Sequence, residues 1–508
     1  MRDEYETFEI ATQNLEALRL SIAKEIAKHD KSELVNELLA CSFGRVIINE
    51  FKRGELDADN YAAYVILRLE HIADWIEAAV ANDEPWLKNV DELGRPKKLL
   101  KFSNGMQIVR EANRDMMLFA QKSRNIMLSQ GDEELVKQFD NGYSLVRLLT
   151  PKALDRESGQ MQHCIGQGAY DQHLEGGEYE YLSLRDPAGK PHVTIEMGVD
   201  RRTGARDLKQ FQGKQNQPPI SKYQDILIPY LRETKTMIRD ASPSLPYVTD
   251  VHGTWHSVYD LPEELEITSL RYIDYSVYEE GAAPDDEKPI RLPKRLIGAH
   301  SLSICGAYLS GEIESHPDNM NIDLYRVHFA DRQTVLKTTA AIDMTATTFA
   351  TPPEIIEARN LRIKSTMPES WPKMIVVSDL LDSIGDKLPN FPMKIRCGHF
   401  QAGAGYEPND QVHDIQVAGT LVIITSAEYQ VPRGIITNKL SIHLKDDPNL
   451  TQTMPNFPEV SGTINVHGFA GFEFPENLPD NTRIIFGGEI TLLEYRSNQQ
   501  RMRYMPFG

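Results

Sequence analysis

Residues 161–197 read MQHCIGQGAYDQHLEGGEYEYLSLRDPAGKPHVTIEM. His163 and Cys164 precede a glycine-broken stretch, and two alternating segments then flank the turn DPAGK. Taking DPAGKP as a hairpin loop pairs Arg185 with His192, Ser183 with Thr194 and Tyr181 with Glu196. Side chains two apart on a strand share a face. Tyr181, Ser183, Arg185, His192, Thr194 and Glu196 therefore line one side, and Leu182, Leu184, Val193, Ile195 and Met197 the other. The second set is a core face. The first is dense in titratable and donor groups. It is either a solvated sheet face or a pocket wall, in which Arg185 reaches Glu196 diagonally or receives an anionic group.

The flanking sequence extends this hairpin into an α+β domain over residues 143–240. GYSLVRLL reads as a strand. PKALDRESGQM reads as a short helix, with Thr150 as N-cap and Pro151 at its first position. AYDQHLEGG gives a helical turn or two, stopped by Gly176 and Gly177. ARDLKQFQG is a third strand, and ISKYQDILIPYLRETKTMI a closing helix.

Residues 1–142 are helical in pattern. Leu15, Leu18, Ile22 and Ile26 fall at steps of three and four, and two later segments repeat the spacing. This region is a scaffold or, alternatively, a partner-binding helical module. Residues 241–291 carry ASPSLP and the acidic run YEEGAAPDDEKP, a composition suited to a connector. In residues 292–494 short β-like triplets recur at intervals near twenty: Leu302/Ile304, Ile322/Leu324, Ile342/Met344 and Leu361/Ile363, then Ile395, Leu440/Ile442, Ile464/Val466 and Ile484/Phe486. A unit of that length cannot bury its apolar residues alone, so stacked units share one core as a solenoid. A β-sandwich or two irregular β domains is the alternative. Residues 495–508 are a basic tail.

The chain has 508 residues, 55 basic and 74 acidic, for a net charge of −19. Such a balance repels nucleic acid on average. Arg201, Arg202, Arg206, Lys209, Lys214 and the basic tail are the places where phosphate would bind. The four cysteines, Cys41, Cys164, Cys305 and Cys397, form no CxxC clip. With no signal-like N-terminus and no apolar run long enough to span a bilayer, the expected location is cytoplasmic, with no membrane partner.

A thiolate needs a lowered pKa, which a helix start or a neighbouring cation supplies. Cys164 precedes a helical turn and follows His163. As a nucleophile it would use His163, His173 or His192 as base, with Glu196 orienting the histidine. A lone cysteine is equally a small buried apolar residue. No standard metal or cofactor motif is present, so none is expected.

The segments MQHCIGQGAYD, YLSLRDPAGKPHVTIEM and QFQGKQNQPP resemble, in order, three motifs of PcfJ-like domains. The resemblance implies that His163, Cys164, Tyr170, Arg185, Thr194, Glu196, Gln210, Gly213 and Asn216 are the family's recurrent positions. It also implies a bacterium, plasmid or phage as source. Residues 292–494 resemble degenerate leucine-rich repeats. The expected protein is thus multidomain α+β, with a helical N-terminal region, a small PcfJ-like domain and a C-terminal β-solenoid. Its expected role is a binding or adapter protein whose solenoid recognises a macromolecular partner, with Tyr170, Arg185, Thr194, Gln210 and Asn216 holding a second ligand. The alternatives are a cysteine-dependent hydrolase or transferase using Cys164, His163 and Glu196, and an accessory nucleic-acid-binding protein.

Overall fold

The computed structural model describes residues 31–53, 58–123, 125–163, 165, 166, 168, 170–200, 202–278, 288–331, 335–364 and 372–383, a few positions between 19 and 27, and beyond 394 chiefly the strands. Two compact units result, residues 1–237 and 238–508.

The first unit opens with helices α1 (Glu33–Leu39), α2 (Arg45–Lys52), α3 (Ala58–Ala81), α4 (Lys97–Leu100) and α5 (Gly105–Ser123). Ile22 and Ile26 are buried with Leu39, Phe43, Ile47, Leu69, Ile72 and Ile76, as the three-four spacing predicts. Leu15 and Leu18 lie outside the described residues. A five-stranded antiparallel sheet follows in chain order: β1 (Glu133–Gln138), β2 (Ser144–Leu148), β3 (Tyr179–Arg185), β4 (Pro191–Val199) and β5 (Arg206–Gln212). Between and after the strands come α6 (Pro151–Met161), α7 (Asp171–Gly176) and α8 (Ser221–Glu233). Thr150 caps α6 by accepting from the Ala153 N–H, with Pro151 in the first turn.

The sheet starts at Glu133 rather than near 143. The turn before Tyr143 is closed by Phe139 N donating to Tyr143 O at 2.8 Å, with Gly142 at φ 81°. An Asn-Gly pair is a strong hairpin signal, and it draws the preceding EELVKQ into the sheet. Helical region and sheet also share one compact unit. Ala78 of α3 packs in a single cluster with Leu148, Ala153, Leu154, Ile165, Tyr170 and Tyr181.

In the second unit strand structure begins with Asp240–Ala241, at the boundary of the stretch read as a connector, and continues through that stretch. Residues 279–287 of that stretch lie outside the described residues. Apart from the antiparallel pairs Tyr247–Thr249 with Trp255–Ser257 and Arg483–Ile485 with Glu489–Thr491, the described strands pair in parallel, one coil to the next, and build a β-solenoid. One ladder runs Leu270, Leu302, Ile322, Ile342, Leu361, Leu381, Phe400, Leu421, Leu440, Ile464, Ile484. These residues, Ile484 apart, are among the buried core. Burying such side chains fully stabilises by about 1.5–3 kcal/mol each. Ile395 is not a rung of this ladder. It belongs to a second one, Leu336, Ile356, Ile375, Ile395, Ile415, Ile435. Each coil thus contributes more than one apolar strand segment, and a single-period reading merges the two.

From Met374 to Leu444 both segments lie on one bent strand per coil. The bend needs close backbone approach: a Cβ on Gly398 would stand 2.7 Å from Asp379 O, and one on Gly419 2.8 Å from Gly398 O. In earlier coils Gly306, Arg326 and Ala346 turn a left-handed corner at φ 72°, 50° and 50°.

Candidate functional site

The central hairpin pairs Tyr181 with Glu196 and Ser183 with Thr194, as alternation predicts. A bulge then places Arg185 opposite Pro191, not His192. His192 leaves the polar set. Its Nε2 lies 3.0 Å from Asp186 Oδ2, its Nδ1 2.9 Å from the Tyr223 hydroxyl, and its ring stacks on Tyr223. His173 stacks on Tyr179 with ring centroids 5.0 Å apart.

The polar face is not solvated. Ser183, Arg185, Thr194 and Glu196 are all buried. Helix α6 packs on β4 and α5 on α6, and this cover brings Glu157 into the sheet's polar side. Arg185 does not reach Glu196. Its Nη2 donates to Glu157 Oε2 at 2.8 Å and to Glu133 Oε1 at 2.6 Å, and its Nε to Ser183 Oγ at 2.8 Å. Thr194 donates to Glu157 Oε1 at 2.8 Å. His163 Nε2 lies 2.8 Å from Thr194 Oγ1.

This geometry fixes a tautomer. Thr194 has one hydroxyl proton, and it goes to Glu157, which as a carboxylate paired with Arg185 only accepts. His163 must therefore donate from Nε2, which leaves Nδ1 as a bare acceptor. Nδ1 is buried with no hydrogen-bond partner among the described residues. Complete burial pushes the His163 pKa down to about 4, so the ring is neutral at physiological pH.

Beside this network lies a small pocket, partly open to solvent, lined by His163, Ile165, Tyr170, Thr194, Glu196, Gln210, Gln212 and Asn216. Two cross-strand pairs make its floor: Thr194 faces Gln212, and Glu196 faces Gln210. Asn216 comes from the loop Gly213–Gln217, closed by Gly213 N donating to Gln217 O at 2.7 Å. Gln215 and Asn216 are held at φ 60° and 57°. Gln215 Nε2 ties this loop to Gln162 Oε1 at 3.0 Å, at the end of α6. Two consecutive left-handed residues that are not glycine cost energy, and such strain clusters at binding sites. His163 and Ile165 are held against α6 through Gly166, where a Cβ would fall 2.8 Å from Asp155 Cα.

Glu196 is strongly altered by this setting. Burial pushes its pKa up to about 7, Asp74 and Glu70 add to the rise, and Lys31 and Lys209 oppose it. Asp74 is itself held by Lys31 Nζ at 3.0 Å, and Tyr170 donates to its Oδ2 at 3.5 Å.

Of the residues singled out in the sequence, His163, Tyr170, Thr194, Glu196, Gln210 and Asn216 meet around one pocket. Arg185 sits behind it, linked through Glu157. Cys164 lies outside the described residues. Glu157, Gln212 and Ile165 escaped the sequence reading. Glu157 had a signal: it falls on the stripe Ala153, Leu154, Glu157, Ser158, Met161, the buried side of α6. In the basic cluster Arg206 pairs with Glu180 and Lys209 with Asp207. Arg201 and the basic tail lie outside the described residues. Among the described residues no helix is long and apolar enough to cross a membrane, and no group of three or more metal-type ligands is present. No protein-family model matches the chain, and neither a curated protein nor a solved structure does.

Proposed function

We propose that this chain is a PcfJ-like binding or adapter protein of a bacterium, plasmid or phage. Its solenoid recognises a macromolecular partner, and its first unit holds a second, smaller ligand. The observation that carries the reading is the parallel ladder from Leu270 to Ile484, because stacked coils present a long regular surface suited to partner recognition. The row beside that ladder is polar, half-buried to buried and in register, with Ser303, Asp323, Asp343, Arg362 and Asp382 side by side. Arg362 lies 3.7 Å from Asp343 and 3.5 Å from Asp382. The twenty-residue period supports the leucine-rich-repeat affiliation. The second strand segment in each coil departs from the one-strand repeat. The PcfJ-like affiliation is supported by the meeting of its three motifs around one pocket.

Cysteine-dependent catalysis is the second reading, favoured by the adjacency of His163 to Cys164. Against it, His163 is neutral and its Nε2–H is committed to Thr194, so it supplies no cation to stabilise a thiolate. Alkylation of Cys164 by iodoacetamide across pH 5–9 separates the two. The adapter reading expects a thiol pKa near or above the ordinary ~8.5, unchanged in His163→Ala. A depressed pKa that rises in His163→Ala would establish the enzyme instead. A nucleic-acid role has less support, since Arg206 and Lys209 already face carboxylates.

A further inference from the structure

We infer that the pocket of the first unit is a receptor for an organic cation, the guanidinium or ammonium tip of an alkyl chain. The inference deepens the binding reading and rests on it only in taking the pocket as a ligand site.

Two features point to this charge and a third accommodates it. The first is the bare acceptor of His163. Its residue is 3% exposed, it lines the pocket, and Nδ1 has no partner among the described residues. A buried acceptor left unpaired costs about 1–3 kcal/mol, so a donor brought by a ligand recovers that penalty. The second is the Glu196 carboxyl, which opens on the same space with no positive group directly against it among the described residues. Asp74 and Glu70 deepen the negative field from α3, Tyr181 faces it across the hairpin, and Lys31 and Lys209 offset the field only in part. The third is the rest of the lining. Gln210, Gln212 and Asn216 bring side-chain amides that accept through oxygen and donate through nitrogen, and Ile165 with the Tyr170 ring offers an apolar wall for an alkyl stem. An anion would meet Glu196 as a like charge. A neutral polar molecule would leave the acidic field unrelieved. A cation bearing several N–H donors satisfies the acceptors and the field together.

The pH dependence follows with a definite sign. Glu196 titrates near pH 7 in the empty pocket, and a bound cation favours its ionised form. Below pH 7 binding must displace a proton from Glu196, so affinity falls as pH falls. With a pKa of about 7, the ionised fraction changes roughly tenfold between pH 8 and pH 6.

The test is calorimetric titration of the full chain with n-butylguanidinium and n-butylammonium, with n-butanol and butyrate as neutral and anionic controls. The expected result is saturable binding of at least one cation at pH 8, about tenfold weaker at pH 6, with neither control competing. Glu196→Gln keeps the shape of the side chain and removes the buried charge. It is expected to weaken cation binding at pH 8 by about tenfold or more, to abolish the pH dependence, and to leave the thermal midpoint equal or higher. A blocked tripeptide bearing one arginine distinguishes the source. Tighter binding than butylguanidinium assigns the cation to a polypeptide partner, and weaker binding assigns it to a small molecule. Saturation by no cation, equal binding of the controls, or full affinity in Glu196→Gln would overturn the inference. Failure here with an ordinary Cys164 thiol would leave the adapter reading standing. A depressed thiol pKa alongside cation binding would do the reverse.

Discussion

Replacing Glu157 by alanine is expected to cost about 3–5 kcal/mol of folding stability, a large share of the roughly 5–15 kcal/mol typical of a folded domain. Glu157 is fully buried, and its two oxygens hold Arg185 and Thr194. Without it, Arg185 keeps Glu133 but stays buried with its charge under-compensated, and Thr194 loses its acceptor. His163 then loses the reason for its tautomer. The comparison that isolates the charge is the double replacement Glu157→Leu with Arg185→Met. Removing both charges avoids an orphan, and such swaps are often neutral or stabilising. Urea unfolding followed by hydrogen exchange across residues 133–233 reads both. If Glu157→Ala is no less stable than the double variant, the network is not what holds the polar face together.

The second large effect is expected in the solenoid. Phe400 is 2% exposed and lies between Leu381 and Leu421 in the ladder. Phe400→Ala is expected to cost about 3–5 kcal/mol, transfer free energy plus the cavity left behind. Coils of a solenoid contact only their neighbours, so the damage should stay local. Hydrogen-exchange protection is expected to fall in residues 374–383 and 412–425 while the coils at 301–310 and 321–329 keep theirs. Uniform loss along the whole ladder would show that the coils unfold as one cooperative body.

Much of this fold was legible because local patterns agree with the long-range structure. The limits of α6 follow from Thr150, Pro151 and the stripe behind them, and the rungs at 302, 322, 342 and 361 follow from period alone. The cover over the hairpin was not legible. Alternation says that Thr194 and Glu196 share a face. It does not say whether water or a helix lies against that face. A charged residue on an apolar stripe, as Glu157 is, marks the covered case, because burial is tolerated only when a partner such as Arg185 is supplied from elsewhere. The pairing of Arg185 was misjudged for a similar reason: a bulge at His192 shifts the register by a residue, and no residue type announces it. Ile395 was misplaced because two ladders of similar composition share one coil.

The step from Leu440 to Ile464 is longer than the step from Leu421 to Leu440, yet both pairs stay in register. The extra chain is absorbed between the rungs. Insertions can therefore enter a coil away from its ladder without disturbing the stack, and whole coils can be duplicated or lost with only two junctions to re-form. Such a chain is free to change its length, and the extent of what it grips, in increments of one coil.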